Sequence, residues 1–196
     1  PRLSAEMLLS HVFACQRMHL YTQADRPASP AERDQLRDLV ARALKHEPVQ
    51  YLVNEAWFFS LQLKSDRRAL IPRPSTETIV ETILQHARTR HADTPLRIAD
   101  ICTGSGCIAI SLARNLPTAQ LIATDISPDA LALARENAER HAVADRIEFH
   151  KGDLLAPLAA HHTTYDYIAS NPPYIPDHEW DAVEPNVKDY EPTIAL

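Results

Sequence analysis

The chain has 196 residues, room for one large domain or two small ones. Its 45% apolar and 23% charged residues are an ordinary globular balance, with no apolar stretch long enough to span a bilayer and no signal peptide. A net charge of −6 argues against broad phosphate-backbone binding, so no direct nucleic-acid or membrane partner is expected. Cys15, Cys102 and Cys107 make no CxxC and no paired framework, which points to reduced thiols in the cytoplasm. No ligand spacing accompanies the histidines, so no metal site is expected. The chain starts at Pro1 without Met and stops at Leu196 without a closing element, and reads as a piece of a longer protein.

The first fifty residues read as helical. Met7, Leu8, His11 and Val12 recur at helical spacing between Ala5 and Ala14. Ser29-Pro30-Ala31-Glu32 is a capping box with proline at the first helical position. The helix it opens should carry Leu36, Leu39, Val40, Ala43 and Leu44 on one face and stop near Pro48. Such short amphipathic helices predict a small bundle over residues 1–50. Trp57, Phe58, Phe59, Leu61 and Leu63, then Ala69, Leu70 and Ile71, flank the polar Lys64-Ser65-Asp66-Arg67-Arg68. That pattern predicts a β-hairpin linker over 51–74, turning at the polar run. Pro72-Arg73-Pro74 ends it, and Ser75 is expected to cap a helix bearing Ile79, Val80, Ile83 and Leu84.

From Leu96 onward strand and helix alternate. Strands are expected at Leu96–Ala99, Gln120–Thr124, Ile147–His150 and Tyr165–Ala169. Helices are expected at Cys107–Asn115 and from a Ser127-Pro128 cap through Ala130, Leu131, Ala134 and Ala138 to about His141. The alternation predicts βαβ units, a parallel sheet and an α/β, Rossmann-like domain over 75–196.

Three glycines are few for this length, so each should sit where a Cβ obstructs backbone or ligand. Gly104 and Gly106 lie in Cys102-Thr103-Gly104-Ser105-Gly106, between the first expected strand of the sheet and its helix, where backbone N–H groups meet ligands. Gly104 to Ala109 also fits the dinucleotide pattern. Asp125 ends the next strand and can accept ribose hydroxyls; NAD and S-adenosylmethionine enzymes both use such a carboxylate. Asp153, after Gly152, reads either as an acceptor for an adenine amino group or as a solvated loop carboxylate. Asn171-Pro172-Pro173-Tyr174 ends the last strand. There Asn171 Oδ1 and the Pro172 carbonyl can accept the two hydrogens of a planar NH2 group, proline fixes the backbone, and Tyr174 offers a flat face. A nucleoside site beside such a clamp suggests methyl transfer to an amide or amino nitrogen.

These residues carry a resemblance. Asp100 to Gly106, Asp125 and Asn171 to Tyr174 resemble class I S-adenosylmethionine-dependent methyltransferases of the NPPY type. Leu70 to Glu77, Glu47 to Leu52 and Pro1 to Leu9 are similar to the bacterial peptide chain release factor glutamine methyltransferases. The resemblance implies an N-terminal helical domain, a hairpin linker and a catalytic domain. It implies methylation of the side-chain nitrogen of the glutamine in the Gly-Gly-Gln loop of class-I release factors. S-adenosyl-L-methionine would be bound by Cys102, Thr103, Gly104, Ser105, Gly106, Asp125, Asp153, Leu154 and Asn171, leaving S-adenosyl-L-homocysteine; Asn171, Pro172, Pro173 and Tyr174 would hold the amide. Three positions depart from the family: Cys102 for a glycine, Ser75 for a glutamate, and Leu154 where some members have an aromatic residue. Tyr51 to Phe58 and Cys102 to Cys107 are also similar to the sister family acting on a large-subunit ribosomal protein. Pro72-Arg73-Pro74 and Tyr190-Glu191-Pro192 favour the release-factor branch. An adenine-N6 nucleic-acid methyltransferase, a noncatalytic nucleoside-binding module and an NAD enzyme are the rival readings.

Overall fold

The computed structural model describes residues 2–90, 94–159 and 164–196; Pro1 lies outside them. Helix α1, Arg2–Val12, is followed by the single turn α2, His19–Thr22, and by α3, Pro30–Ala43. The capping box forms as read: Ser29 Oγ accepts the Glu32 N–H at 3.2 Å, and Glu32 accepts the Ser29 N–H at 2.8 Å. A short α4, Val49–Val53, straddles residue 50 and packs Leu52 and Val53 against Leu8, Val12 and Leu39. The expected face of α3 is only half realised. Leu39 is buried, but Val40 and Leu44 are exposed, because α1 and α4 cover a stripe narrower than the apolar spacing allowed.

Strands β1, Glu55–Phe58, and β2, Leu61–Lys64, form an antiparallel hairpin, but not around the expected polar turn. Phe59 and Ser60 make the turn with φ of 48° and 62°, the left-handed pair that matches strand twist in a two-residue hairpin loop. Ala69, Leu70 and Ile71 are therefore not strand. They run along the parallel-sheet unit instead, where Ala69 packs on Ala130 and Leu133. Ser75 lies within a 3-10 turn, Pro74–Thr76, and makes no side-chain cap; α5 then runs Glu77–Arg90 and buries Val80, Ile83, Leu84 and Ala87.

The second unit alternates as expected, with ends shifted by a residue or two. Its elements are β3 (Arg97–Ile101), α6 (Cys107–Asn115), β4 (Gln120–Asp125), α7 (Pro128–Arg140), β5 (Ile147–Lys151), α8 (Ala156–Ala159) and β6 (Tyr167–Ser170); a last turn, α9, spans Pro185–Lys188. Ser127 Oγ caps α7 by accepting the Ala130 N–H at 3.2 Å. All neighbouring strands of the sheet are parallel, in the order β5-β4-β3-β6. Ile98 faces the main core with residues of α5, α6 and α7, while Ala99 and Ile101 face Leu158 on the other side. The chain moves outward from β3 through β4 to β5, then returns to the opposite flank of β3 as β6. Such a reversal opens a crevice at the carboxyl ends of the strands, between β3 and β6.

Candidate active site

Register places the two motif loops side by side. Ile101 pairs with Ser170, so Cys102 and Asn171 are the next residues of adjacent parallel strands. Ser170 Oγ donates to the Ile101 carbonyl at 3.0 Å and ties the loops together at their origin. Thr103 N–H donates to the Thr124 carbonyl at 2.9 Å, fixing the glycine loop to β4 as well.

A cleft of ≈ 740 Å³, open to solvent, lies over these strand ends. Of the residues expected to form the site, Cys102, Thr103, Gly104, Ser105, Asp125, Asn171 and Pro173 line it. Gly106, which is buried, and Pro172, which is exposed, do not line it. Asp153, Leu154 and Tyr174 do not line it; all three are exposed, Tyr174 at 77%.

Asp125 is bound into the loop it serves. Its Oδ2 accepts the Gly104 N–H and its Oδ1 the Ser127 N–H, each at 2.9 Å. A carboxylate has about four acceptor positions, so each oxygen keeps capacity for a ligand hydroxyl. Below the loop, Asp100 is fully buried. Its Oδ2 accepts from Thr103 Oγ1 at 2.6 Å and from the Ala109 N–H at 3.1 Å, while Oδ1 has no partner. Burial pushes this carboxyl up to about 7, against the pull of those two donors. Burial also raises the Cys102 thiol, with Asp125 adding to the effect, so Cys102 is no activated nucleophile.

The glycines serve reasons that spacing alone does not separate. Gly106, at φ 82°, caps α6 in a left-handed conformation, and a Cβ there meets Ile110 Cδ1 at 2.9 Å and Ala134 Cβ at 3.1 Å. Helix packing, rather than ligand approach, requires that glycine. Gly104 has room for a Cβ, 3.9 Å from Ala69, but its φ of 56° favours glycine. Cys102 holds a left-handed φ of 58° as well, a conformation that favours glycine.

Several lining residues escaped the sequence reading. Leu70, Ile71, Arg73 and Thr76 form a wall of the cleft, and Ile194 lines it too. Glu191 holds that wall: its carboxyl is wholly buried, Oε2 accepts the Ile71 N–H at 3.0 Å, and Oε1 accepts from Arg73. Thr76 Oγ1 accepts from Asn171 Nδ2 at 3.4 Å, and among the described residues no hydrogen bond reaches Asn171 Oδ1. Arg73 and Glu191 fall in segments noted only for their resemblance, and no local spacing marks them as a pair.

Fold and site together define an α/β methyltransferase. A family model described as the methyltransferase small domain matches residues 75–187, and one described as the PrmC N-terminal domain matches residues 1–53. Among curated proteins, the release factor glutamine methyltransferase of Chlorobaculum tepidum is 44% identical, over 100% of this chain and 68% of its own. That of Geobacter sulfurreducens is also 44% identical, over 100% of this chain and 66% of its own. The chain belongs to the release factor glutamine methyltransferase family. It spans about two thirds of the length of these relatives. Among solved structures, the delta-N METTL16 MTase domain is 24% identical with a TM-score of 0.50, covering 66% of this chain and 58% of that one, a likeness of fold. Among the described residues, no helix is long and apolar enough to cross a membrane, and no group of three or more His, Cys, Asp or Glu residues could hold a metal.

S-adenosylmethionine is the cofactor of this family, and the residues present fit it. Asp125 lines the cleft and keeps free acceptor capacity, and the buried Asp100 Oδ1 beneath the loop is unpaired.

Proposed function

We propose that this protein transfers a methyl group from S-adenosylmethionine to the side-chain amide nitrogen of a release-factor glutamine. The observation that carries the reading is the adjacency of Cys102 and Asn171 across one pair of strands, with both loops lining a single cleft. The cofactor supplies an electrophilic methyl on a sulfonium. What this chain adds is placement. Asn171 Oδ1 and the Pro172 carbonyl would accept both N–H bonds of the glutamine amide, turning its nitrogen toward the cofactor loop. Amide nitrogen is a poor nucleophile, so alignment matters most, and near-attack placement is worth ~7–11 kcal/mol. Accepting oxygens also stabilise the positive charge that develops on that nitrogen. No general base is needed, since an N-methylated amide cation readily gives up its proton to water.

In this reading Cys102 to Gly106 and Asp125 hold the cofactor, and Pro173 supports the clamp. Asp153, Leu154 and Tyr174 act from the rim. Residues 1–50 recognise the protein substrate, 51–74 link, and 75–196 carry the chemistry. The reaction belongs in the cytoplasm, where Cys15, Cys102 and Cys107 stay as the free thiols they are here.

The test is mass spectrometry of a class-I release factor after incubation with the protein and labelled S-adenosylmethionine. One methyl on the Gly-Gly-Gln glutamine is expected. With Asn171→Ala, cofactor affinity should persist while transfer falls by at least ~10²-fold, the cost of a misplaced reactant. Near-normal transfer by that variant would defeat the clamp.

A further inference from the structure

Asn137, the single asparagine of α7, is fully buried, and its side chain makes three hydrogen bonds to two distant segments. Its Oδ1 accepts the Lys64 N–H at 2.7 Å, and its Nδ2 donates to the Lys64 carbonyl at 3.1 Å. The same Nδ2 donates to the Ser105 carbonyl at 3.0 Å. To β2 the carboxamide behaves as a peptide unit of a further strand. To the cofactor loop it is a clamp, turning the Ser105 carbonyl toward α7 and away from the cleft that Ser105 lines. One turn earlier on the same helix, Ala134 leaves no room for a Cβ on Gly106. The Ser105–Gly106 peptide is thus gripped by α7 at both of its residues. The hairpin is gripped by the same helix: Glu136 pairs with Lys64 at 2.6 Å and with Arg68 at 2.7 Å.

We infer that Asn137 is a positioning residue which holds the Ser105 peptide in its cofactor-binding orientation and couples that orientation to the hairpin at Lys64. The inference rests on the cleft being the cofactor site. Ligand contact with the loop stiffens Ser105, and the shared carboxamide passes that ordering to the Lys64 backbone. The hairpin joins the N-terminal bundle to the catalytic unit, so cofactor occupancy is felt at the base of the bundle.

The experiment is residue-resolved hydrogen exchange of the protein with and without saturating S-adenosylhomocysteine, beside calorimetric titration. In the wild type, the Lys64 amide should exchange several-fold more slowly with ligand, while the Trp57 amide across the hairpin changes less. Binding without that selective slowing would overturn the inference alone. Failure of the wild type to bind would overturn the cofactor reading and the inference with it. Asn137→Asp keeps the size and the acceptor for Lys64 N–H but removes both N–H donors. It should weaken S-adenosylhomocysteine roughly ten-fold, the worth of about one well-made hydrogen bond. Gln62→Ala removes a different hairpin–α7 contact, that to Arg140 at 2.9 Å, and should leave affinity within about two-fold. Equal weakening by both variants would make Asn137 merely a strut and overturn its role. Should Asn137→Asp fail to fold, the wild-type exchange result decides.

Discussion

Replacing Glu191 by glutamine tests whether one buried carboxyl holds the cleft together. Glu191→Gln preserves shape and one oxygen. The new NH2 group must face either the Ile71 N–H or the Arg73 guanidinium, and both are donors. One charge-assisted bond is lost outright, worth roughly 1.5–3 kcal/mol. Removing one partner of a fully buried pair costs about 3–5 kcal/mol. Arg73 is 33% exposed, so water can solvate it once released, and the lower part of these ranges applies. A loss of about 2–3 kcal/mol is expected. For a chain of this size that lowers Tm by roughly 5–10 °C. Urea unfolding should show a lower midpoint with an unchanged slope, since the exposed surface is the same. Because Ile71 and Arg73 line the cleft, S-adenosylhomocysteine should bind more weakly to the folded variant. A variant with wild-type midpoint and wild-type affinity would refute the clasp.

Two other substitutions read local strain and buried charge. Cys102→Gly should stabilise by about 1 kcal/mol by relieving the left-handed φ of 58°, raising Tm by ~2–4 °C in a thermal melt; a lower Tm would show that the thiol's packing outweighs the strain. Asp100 has its folded pKa raised to about 7, so the native state holds its proton more tightly than the unfolded chain. Its contribution is therefore full below about pH 4, is lost as pH rises from there to about 7, and is level above. The loss is on the order of 4 kcal/mol. Asp100→Asn should flatten that slope and be the more stable form at pH 8; an unchanged pH profile in chemical denaturation would rule Asp100 out as its source.

Some of this molecule was written locally. Ser29 and Glu32 are three residues apart and satisfy each other whatever surrounds them, so the start of α3 was readable. The alternation from Arg97 to Ser170 was equally plain, because each strand end carries its own turn chemistry. The hairpin turn was not. Phe59 and Ser60 adopt left-handed angles without the Asn-Gly pair that announces them, while Lys64 to Arg68 imitates a turn. That polar run is instead held by ion pairs across 68 to 72 residues, from Arg68 and Lys64 to Glu136. Local spacing has no access to such partners.

The site divides along the same line. The loop from Cys102 to Gly106 is marked by glycine because its left-handed backbone angles restrict what can stand there. Residues that aim those groups are marked by nothing nearby. Glu191 acts on Ile71 and Arg73 from 118 to 120 positions away, and Asn137 on Lys64 from 73 and on Ser105 from 32. Asn137 sits in an alanine-rich helix with nothing nearby to single it out, yet it is wholly buried. Leaving a buried polar group unpaired is costly, and Asn137 meets that cost by pairing both N–H donors and its oxygen. In the proposed transfer, which depends on placement, these remote acceptors and donors would set the precision with which Asn171 and the glycine loop confront each other across the cleft.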